Sequence, residues 1–139
     1  MADRTPVFTA QIPVRWGDMD AMGHVNNSRF FTYFEQARLE WLETLAPDDW
    51  QQGSTGPILA SAQCDFKRPV VYPATLDIAI SVGALGRTSL PTFYAVRVEH
   101  EDETVVATGE ATLVWIDYAT GQPVPLPEAL RAALTAQSE

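Results

Sequence analysis

Between Val14 and Leu45 the chain reads VRWGDMDAMGHVNNSRFFTYFEQARLEWLETL, which sets Asp18, Asp20, Gly23, His24, Asn26 and Asn27 directly ahead of a run rich in aromatic residues. A carboxylate can attack a carbonyl carbon or take a proton from the water that attacks it. The unsatisfied amides of a helix's first turn point outward with partial positive charge, so N–H groups around Asn26 and Asn27 can polarise a carbonyl oxygen. Gly23 permits close approach of the backbone to a substrate. Carboxylate and helix N-terminus together suit hydrolysis at a carbonyl, because that chemistry needs a base or nucleophile and donors for the oxyanion that develops. His24 fits proton transfer or a packed, hydrogen-bonded role. Asp18 fits a loop carboxylate that accepts backbone amides.

Other reactive side chains carry less. Cys64 is the single cysteine, which excludes an intrachain disulfide and the CxxC pairs of zinc or redox sites. It shares an alternation with Ala60, Ala62 and Phe66, which favours core packing over a nucleophile. Asp18-x-Asp20 opens like a calcium loop, but Met22 and Arg29 occupy positions that need oxygen ligands, so no metal is expected. Glu35 and Arg38, three apart, are spaced for an ion pair with each other or across an interface. His100, in EHED, reads as a solvated residue. Lys67, Arg68 and Arg87 fall at strand ends or turns.

The elements that must position these groups are legible from periodicity. Phe8, Ala10, Ile12, Val14 and Trp16 alternate with polar residues, the pattern of a half-buried strand over 8–16, and Pro13 places it at an edge. Asn26, Asn27 or Ser28 can cap a helix from Arg29 to Leu45 that is apolar nearly all round and must be enclosed. Four strand-like segments follow: PILASAQCDFKRP, ATLDIAISVGALG, LPTFYAVRVEHED and TVVATGEATLVWID. The turns at Gly86–Ser89 and Glu101–Glu103 are too short for parallel crossovers, so the pairing is antiparallel. Small residues on the face of Ala60 and Ala62, with Leu76, Ile78, Ile80, Val82 and Ala84 beside them, leave room for the helix. PLPEALRAAL predicts a short C-terminal helix started by proline.

These elements make an α+β layout over residues 1–139 as a single domain, a size and composition that one core satisfies. The net charge of −9 disfavours nucleic acid and anionic membrane surfaces, so any anionic ligand must be held by local cations. Neither a membrane span nor a signal peptide is visible, which points to a cytoplasmic protein.

RWGDMDAMGHVNNSRFFTYFEQAR, FKRPVVYPATLDI, the GRTSL turn and DYATGQPVPLPEALRAAL together resemble the hotdog-fold acyl-CoA thioesterases of the 4-hydroxybenzoyl-CoA thioesterase type. The resemblance covers almost the whole chain. It implies a hotdog fold, a curved antiparallel five-stranded sheet wrapped round one long central helix, and hydrolysis of an acyl-CoA without metal or organic cofactor. It makes Asp20 the catalytic aspartate, as nucleophile or general base, and places the oxyanion donor at the main-chain amide of Asn27. Fatty-acyl relatives with a related HVNN loop use its histidine, which makes His24 a catalytic candidate. The D-x-N-P-x-H spacing of hotdog hydratases is not met. Gly23 and Asn26, with Arg68, Arg87, Thr88 and Ser89 for the coenzyme A phosphates, complete the expected substrate contacts. The resemblance also implies a homodimer or homotetramer with sites between subunits. The alternative is a non-catalytic acyl-CoA-binding or sensor module.

Overall fold

The computed structural model describes residues 4–45 and 53–138. Strand β1 (Phe8–Pro13) leads through a 3-10 turn (Trp16–Asp18) to helix α1 (Arg29–Leu45). Four strands follow, β2 (Thr55–Phe66), β3 (Thr75–Val82), β4 (Ser89–Val98) and β5 (Ala107–Asp117), and then helix α2 (Glu128–Ser138). The sheet order is β1-β3-β4-β5-β2, and every neighbouring pair is antiparallel. This is the five-stranded sheet with a long helix that the sequence predicts. No described helix is long and apolar enough to cross a membrane.

The helix seats on β1 and the three inner strands by matching period 3.6 to period 2. Phe30, Tyr33, Phe34, Ala37, Trp41 and Leu42 form its buried stripe. Against it stand Leu76, Ile78 and Ile80 of β3, Leu90, Tyr94 and Val96 of β4, and Ala107, Ala111, Leu113 and Trp115 of β5, all buried. Room for the helix comes from β5, where Gly109 has no side chain and a Cβ there would overlap the Phe34 ring. Phe34 in turn stacks on Tyr94 with ring centroids 4.6 Å apart.

Several local expectations are corrected. The face of Ala60, Ala62 and Phe66 is covered by the helix only at its Phe66 end, where Phe66 touches Phe30. Its strand, β2, is an edge strand bonded only to β5, and these three residues are exposed. β1 ends at Pro13, and the turn that follows throws Trp16 out to 77% exposure although Ala10, Ile12 and Val14 are buried. The β3 pattern lapses after Val82, leaving Ala84 exposed. Glu35 and Arg38 form no ion pair with each other among the described residues: Glu35 is exposed, whereas Arg38 is buried beside Tyr94.

Candidate active site

The loop between β1 and α1 is closed on itself by its backbone. Asp20 N–H donates to His24 O at 3.0 Å, and Gly23 N–H donates to Asp20 O at 3.0 Å. Gly23 adopts φ +83 with nothing within 4 Å of a Cβ position, so the left-handed backbone, and not protein crowding, asks for glycine there. Val25 N–H bonds Val70 O at 2.8 Å and Asn26 N–H bonds Asp18 O at 3.0 Å, which tie the loop to the segment after β2 and to its own start.

The two aspartates face different surroundings. Asp18 is 2% exposed, and its Oδ2 accepts from Arg15 N–H at 3.0 Å and from Tyr33 Oη at 2.8 Å. Arg15 and Arg29 each stand 3.7 Å from Oδ1. Burial pushes this carboxyl up, but the Arg15 amide, the Tyr33 hydroxyl and the two guanidiniums outweigh it and hold Asp18 below the usual carboxylate range. The same contact, with burial as the larger cause, drives the Tyr33 phenol well upward. Asp18 is thus a saturated anion that fastens the loop to α1.

Asp20 is half-buried, and both of its oxygens are held by neutral donors: Met22 N–H to Oδ1 at 2.9 Å and Asn26 Nδ2 to Oδ2 at 2.9 Å. No ion pair engages it among the described residues. It therefore keeps lone pairs free for a substrate or a water. Asn26 also starts the helix. Its Oδ1 accepts from Ser28 N–H at 2.9 Å and Ser28 Oγ at 2.7 Å, and its carbonyl accepts Arg29 N–H at 2.9 Å. The next amide, on Asn27, lies in the turn that leads into α1 and has no acceptor among the described residues.

A cavity of about 240 Å³ opens beside this helix start, with His24, Asn27, Phe30, Phe66, Lys67 and Arg68 on its walls. It is smaller than the roughly 300–1,000 Å³ usual for small-molecule sites. His24 is exposed, and Phe30 meets Phe66 edge to face at 5.4 Å. A larger hollow of about 440 Å³ lies on the opposite face of the sheet, floored by Ala79, Ala95 and Thr108. It holds neither His24 nor Asn27 and presents no helix N-terminus; Asp20 lines neither cavity, but its loop supplies His24 and Asn27 to the wall of the smaller one, which is the candidate site.

Asp20, Gly23, His24, Asn26, Asn27 and Arg68 thus gather at one end of the sheet. Arg87, Thr88 and Ser89 do not join them within a protomer. The Asp20 loop follows Pro13, which pairs with Thr75 at the start of β3, whereas Arg87 lies beyond Val82 at its end. At about 3.3 Å per residue the two ends are roughly 23 Å apart. The Arg87 carbonyl instead receives Leu126 N–H at 2.9 Å, and Thr88 O receives Trp115 N–H at 2.9 Å. Cys64 is partly buried, and burial, then Asp65, push its thiol up to about 11, which makes it a poor nucleophile at neutral pH. Tyr33, Arg15 and Arg29, the partners of Asp18, were not marked by the sequence pattern.

The profile of the thioesterase-like superfamily matches residues 14–134. The long-chain acyl-CoA thioesterase FadM of Escherichia coli (strain K12) is 30% identical over 125 residues, covering 89% of this chain and 94% of that protein. Among solved structures, the PA2801 protein of Pseudomonas aeruginosa is 38% identical with a TM-score of 0.87, over 94% of this chain and 99% of its own. A thioesterase from Thermus thermophilus, complexed with coenzyme A and Zn, is 32% identical with a TM-score of 0.79, over 94% of this chain and 92% of its own.

Proposed function

Because the chain belongs to the thioesterase-like superfamily, we propose that it hydrolyses an acyl-CoA thioester with the Asp20 carboxylate, and that Asn27 N–H binds the developing oxyanion. The observation that carries this reading is the placement of Asp20. It is an unpaired carboxylate whose two oxygens are held by Met22 and Asn26 beside the first turn of α1. FadM is named for acyl-CoA hydrolysis and the Thermus thermophilus relative holds coenzyme A, which supports the substrate class.

Two routes share this geometry. As a base, Asp20 takes a proton from water while the water oxygen bonds to the thioester carbon; the tetrahedral oxyanion then collapses and expels the coenzyme A thiolate. As a nucleophile, Asp20 displaces the thiolate to form a mixed anhydride, which water cleaves to restore the carboxylate. Either way, donors aimed at the oxyanion stabilise the transition state. His24, on the cavity wall, serves proton transfer to or from the leaving sulfur or the water.

The working unit in this reading is a homodimer. β2 runs twelve residues with one edge unpaired, and Ile58, Leu59 and Phe66 on it are 41%, 48% and 42% exposed. Antiparallel pairing of β2 with its copy continues the sheet and lays the Thr55 end of one strand beside the Phe66 end of the other. The Thr55 end is the one that carries the Arg87–Ser89 turn. The pairing thus brings a second protomer's Arg87, Thr88 and Ser89 toward the cavity of the first, where Arg68 already stands, and supplies cations for coenzyme A phosphates.

Release of free thiol from a panel of acyl-CoAs of varied chain length and aryl content tests the reading. Turnover of at least one member at a rate that Asp20→Asn removes is the expected result. Tight binding with no thiol released makes the chain an acyl-CoA sensor.

A further inference from the structure

Asn26 touches both halves of the proposed machinery through one side chain. Its Nδ2 donates to Asp20 Oδ2 at 2.9 Å, and its Oδ1 accepts both donors of Ser28, the N–H at 2.9 Å and the hydroxyl at 2.7 Å. The orientation of the amide is forced. An ionised carboxylate only accepts and a backbone N–H only donates, so the nitrogen must face Asp20 and the oxygen must face Ser28. Met22 N–H holds the other oxygen of Asp20 at 2.9 Å. The carboxylate is therefore pinned at two points and cannot turn about its Cβ–Cγ bond without losing one of them.

We propose that Asn26 is a positioning residue for Asp20, fixing the carboxylate relative to the oxyanion-binding amide of Asn27, and that it does not itself contact substrate. The inference rests on the reading of Asp20 as the acting group. Its physical content is a shared anchor. The side chain that orients the carboxylate also begins the helix, and the Asn27 N–H is one peptide away. Base and oxyanion donor thus move as one body, which holds both within the narrow tolerance that acyl transfer requires. Helix capping alone asks only for an oxygen at position 26, which serine or aspartate supplies as well as asparagine. Only an amide supplies, in addition, a neutral donor to Asp20.

That distinction sets the experiment. Asn26→Asp and Asn26→Ser both keep the cap. The first puts a carboxylate oxygen where Nδ2 stood, against Asp20; the second leaves Asp20 Oδ2 without its donor. Asp18, His24, Arg15 and Arg29, the other titratable groups of the loop and helix start, are unchanged in both. We expect melting temperatures close to wild type, KM within about threefold, and kcat lower by about 10- to 100-fold, the worth of a hydrogen bond to a charged group. In Asn26→Asp the acid limb of kcat/KM moves upward, because two adjacent carboxylates cannot both ionise readily. Wild-type kcat and an unmoved acid limb in folded Asn26→Asp overturn the proposal.

A measurement on the unmodified protein keeps the test open if the variants do not fold. The Asn26 side-chain ¹H–¹⁵N resonances are expected to titrate with acid in wild type and to stop doing so in Asp20→Asn. Resonances that ignore pH in both proteins also overturn the proposal. If wild type hydrolyses no acyl-CoA in the panel, the functional reading fails by itself, and the amide titration still decides whether the clamp exists.

Discussion

Tyr33 Oη, one turn into α1, donates a 2.8 Å hydrogen bond to Asp18 Oδ2, so the central helix and the loop it serves share a buried contact. Removing the hydroxyl leaves a buried carboxylate short of a donor. Tyr33→Phe is expected to cost about 1.5–3 kcal/mol, the range for a hydrogen bond to a charged group, measured by urea unfolding at neutral pH. Asp18 is held below its ordinary value when folded, so the stability it contributes is complete above its unfolded value of about 3.9 and is lost as pH falls through the folded value. The unfolded state is common to both proteins, so the gap between wild type and Tyr33→Phe narrows as pH falls through the folded values of the Asp18 carboxyl. A gap of constant size from neutral pH down to the onset of acid unfolding counts against the contact.

Asp20→Asn keeps size and hydrogen-bonding capacity while removing the charge. It is expected to lower kcat by about 10² to 10⁴, with KM constant or smaller, because in the proposed reading coenzyme A is gripped by groups remote from the carbonyl. Asp18→Asn is the internal control and costs stability more than chemistry. If Asp20→Asn keeps more than about a tenth of wild-type kcat, the mechanism is wrong.

His24 is exposed on the cavity wall, where truncation removes little packing. His24→Ala is expected to lower kcat by about 10² with the melting temperature unchanged. The reverse pattern, a lower melting temperature with kcat per folded molecule intact, assigns the histidine to loop structure.

The proposed dimer predicts complementation. Arg87→Ala protomers lack the cation given to the neighbour, and Asp20→Asn protomers lack their own base, yet a mixed pair assembles one intact site. Co-expression of the two is expected to restore roughly a quarter of wild-type activity, since half the pairs are mixed and each has one good site of two. Mixed protein no more active than the better parent removes the shared site, and an active monomer in sedimentation equilibrium removes the dimer altogether.

What the sequence made legible follows from which signals are local. The bounds of α1 and the antiparallel order rest on side-chain period and turn length, which short segments carry in full, and both agree with the structure. The face of Ala60 and Ala62 misled because alternation marks two sides of a strand without saying which is covered; β2 sits at an edge, and that depends on strand order. Trp16 misled because it opens the 3-10 turn, whose backbone no longer follows the period of the strand before it. The Asp20 to Asn27 loop was visible as a block of polar types. The clamp by Asn26 was not, since its two hydrogen-bonding directions depend on how the loop closes in space. Arg87, Thr88 and Ser89 stand apart from the loop because they lie at the opposite end of β3, a separation that depends on strand pairing and not on local pattern.

The empty place at Gly109, filled by the Phe34 ring, makes the seat of the central helix a matter of subtraction. Most changes in a core remove volume and leave a gap that neighbours can relax around. At this position every substitution adds volume, and the added atoms press on a ring one turn beyond Phe30, at the end of the helix that begins beside Asp20. In the proposed reaction Gly109 therefore acts as a spacer acts on a machine tool: it never meets the workpiece, but its thickness sets where the cutting edge comes to rest.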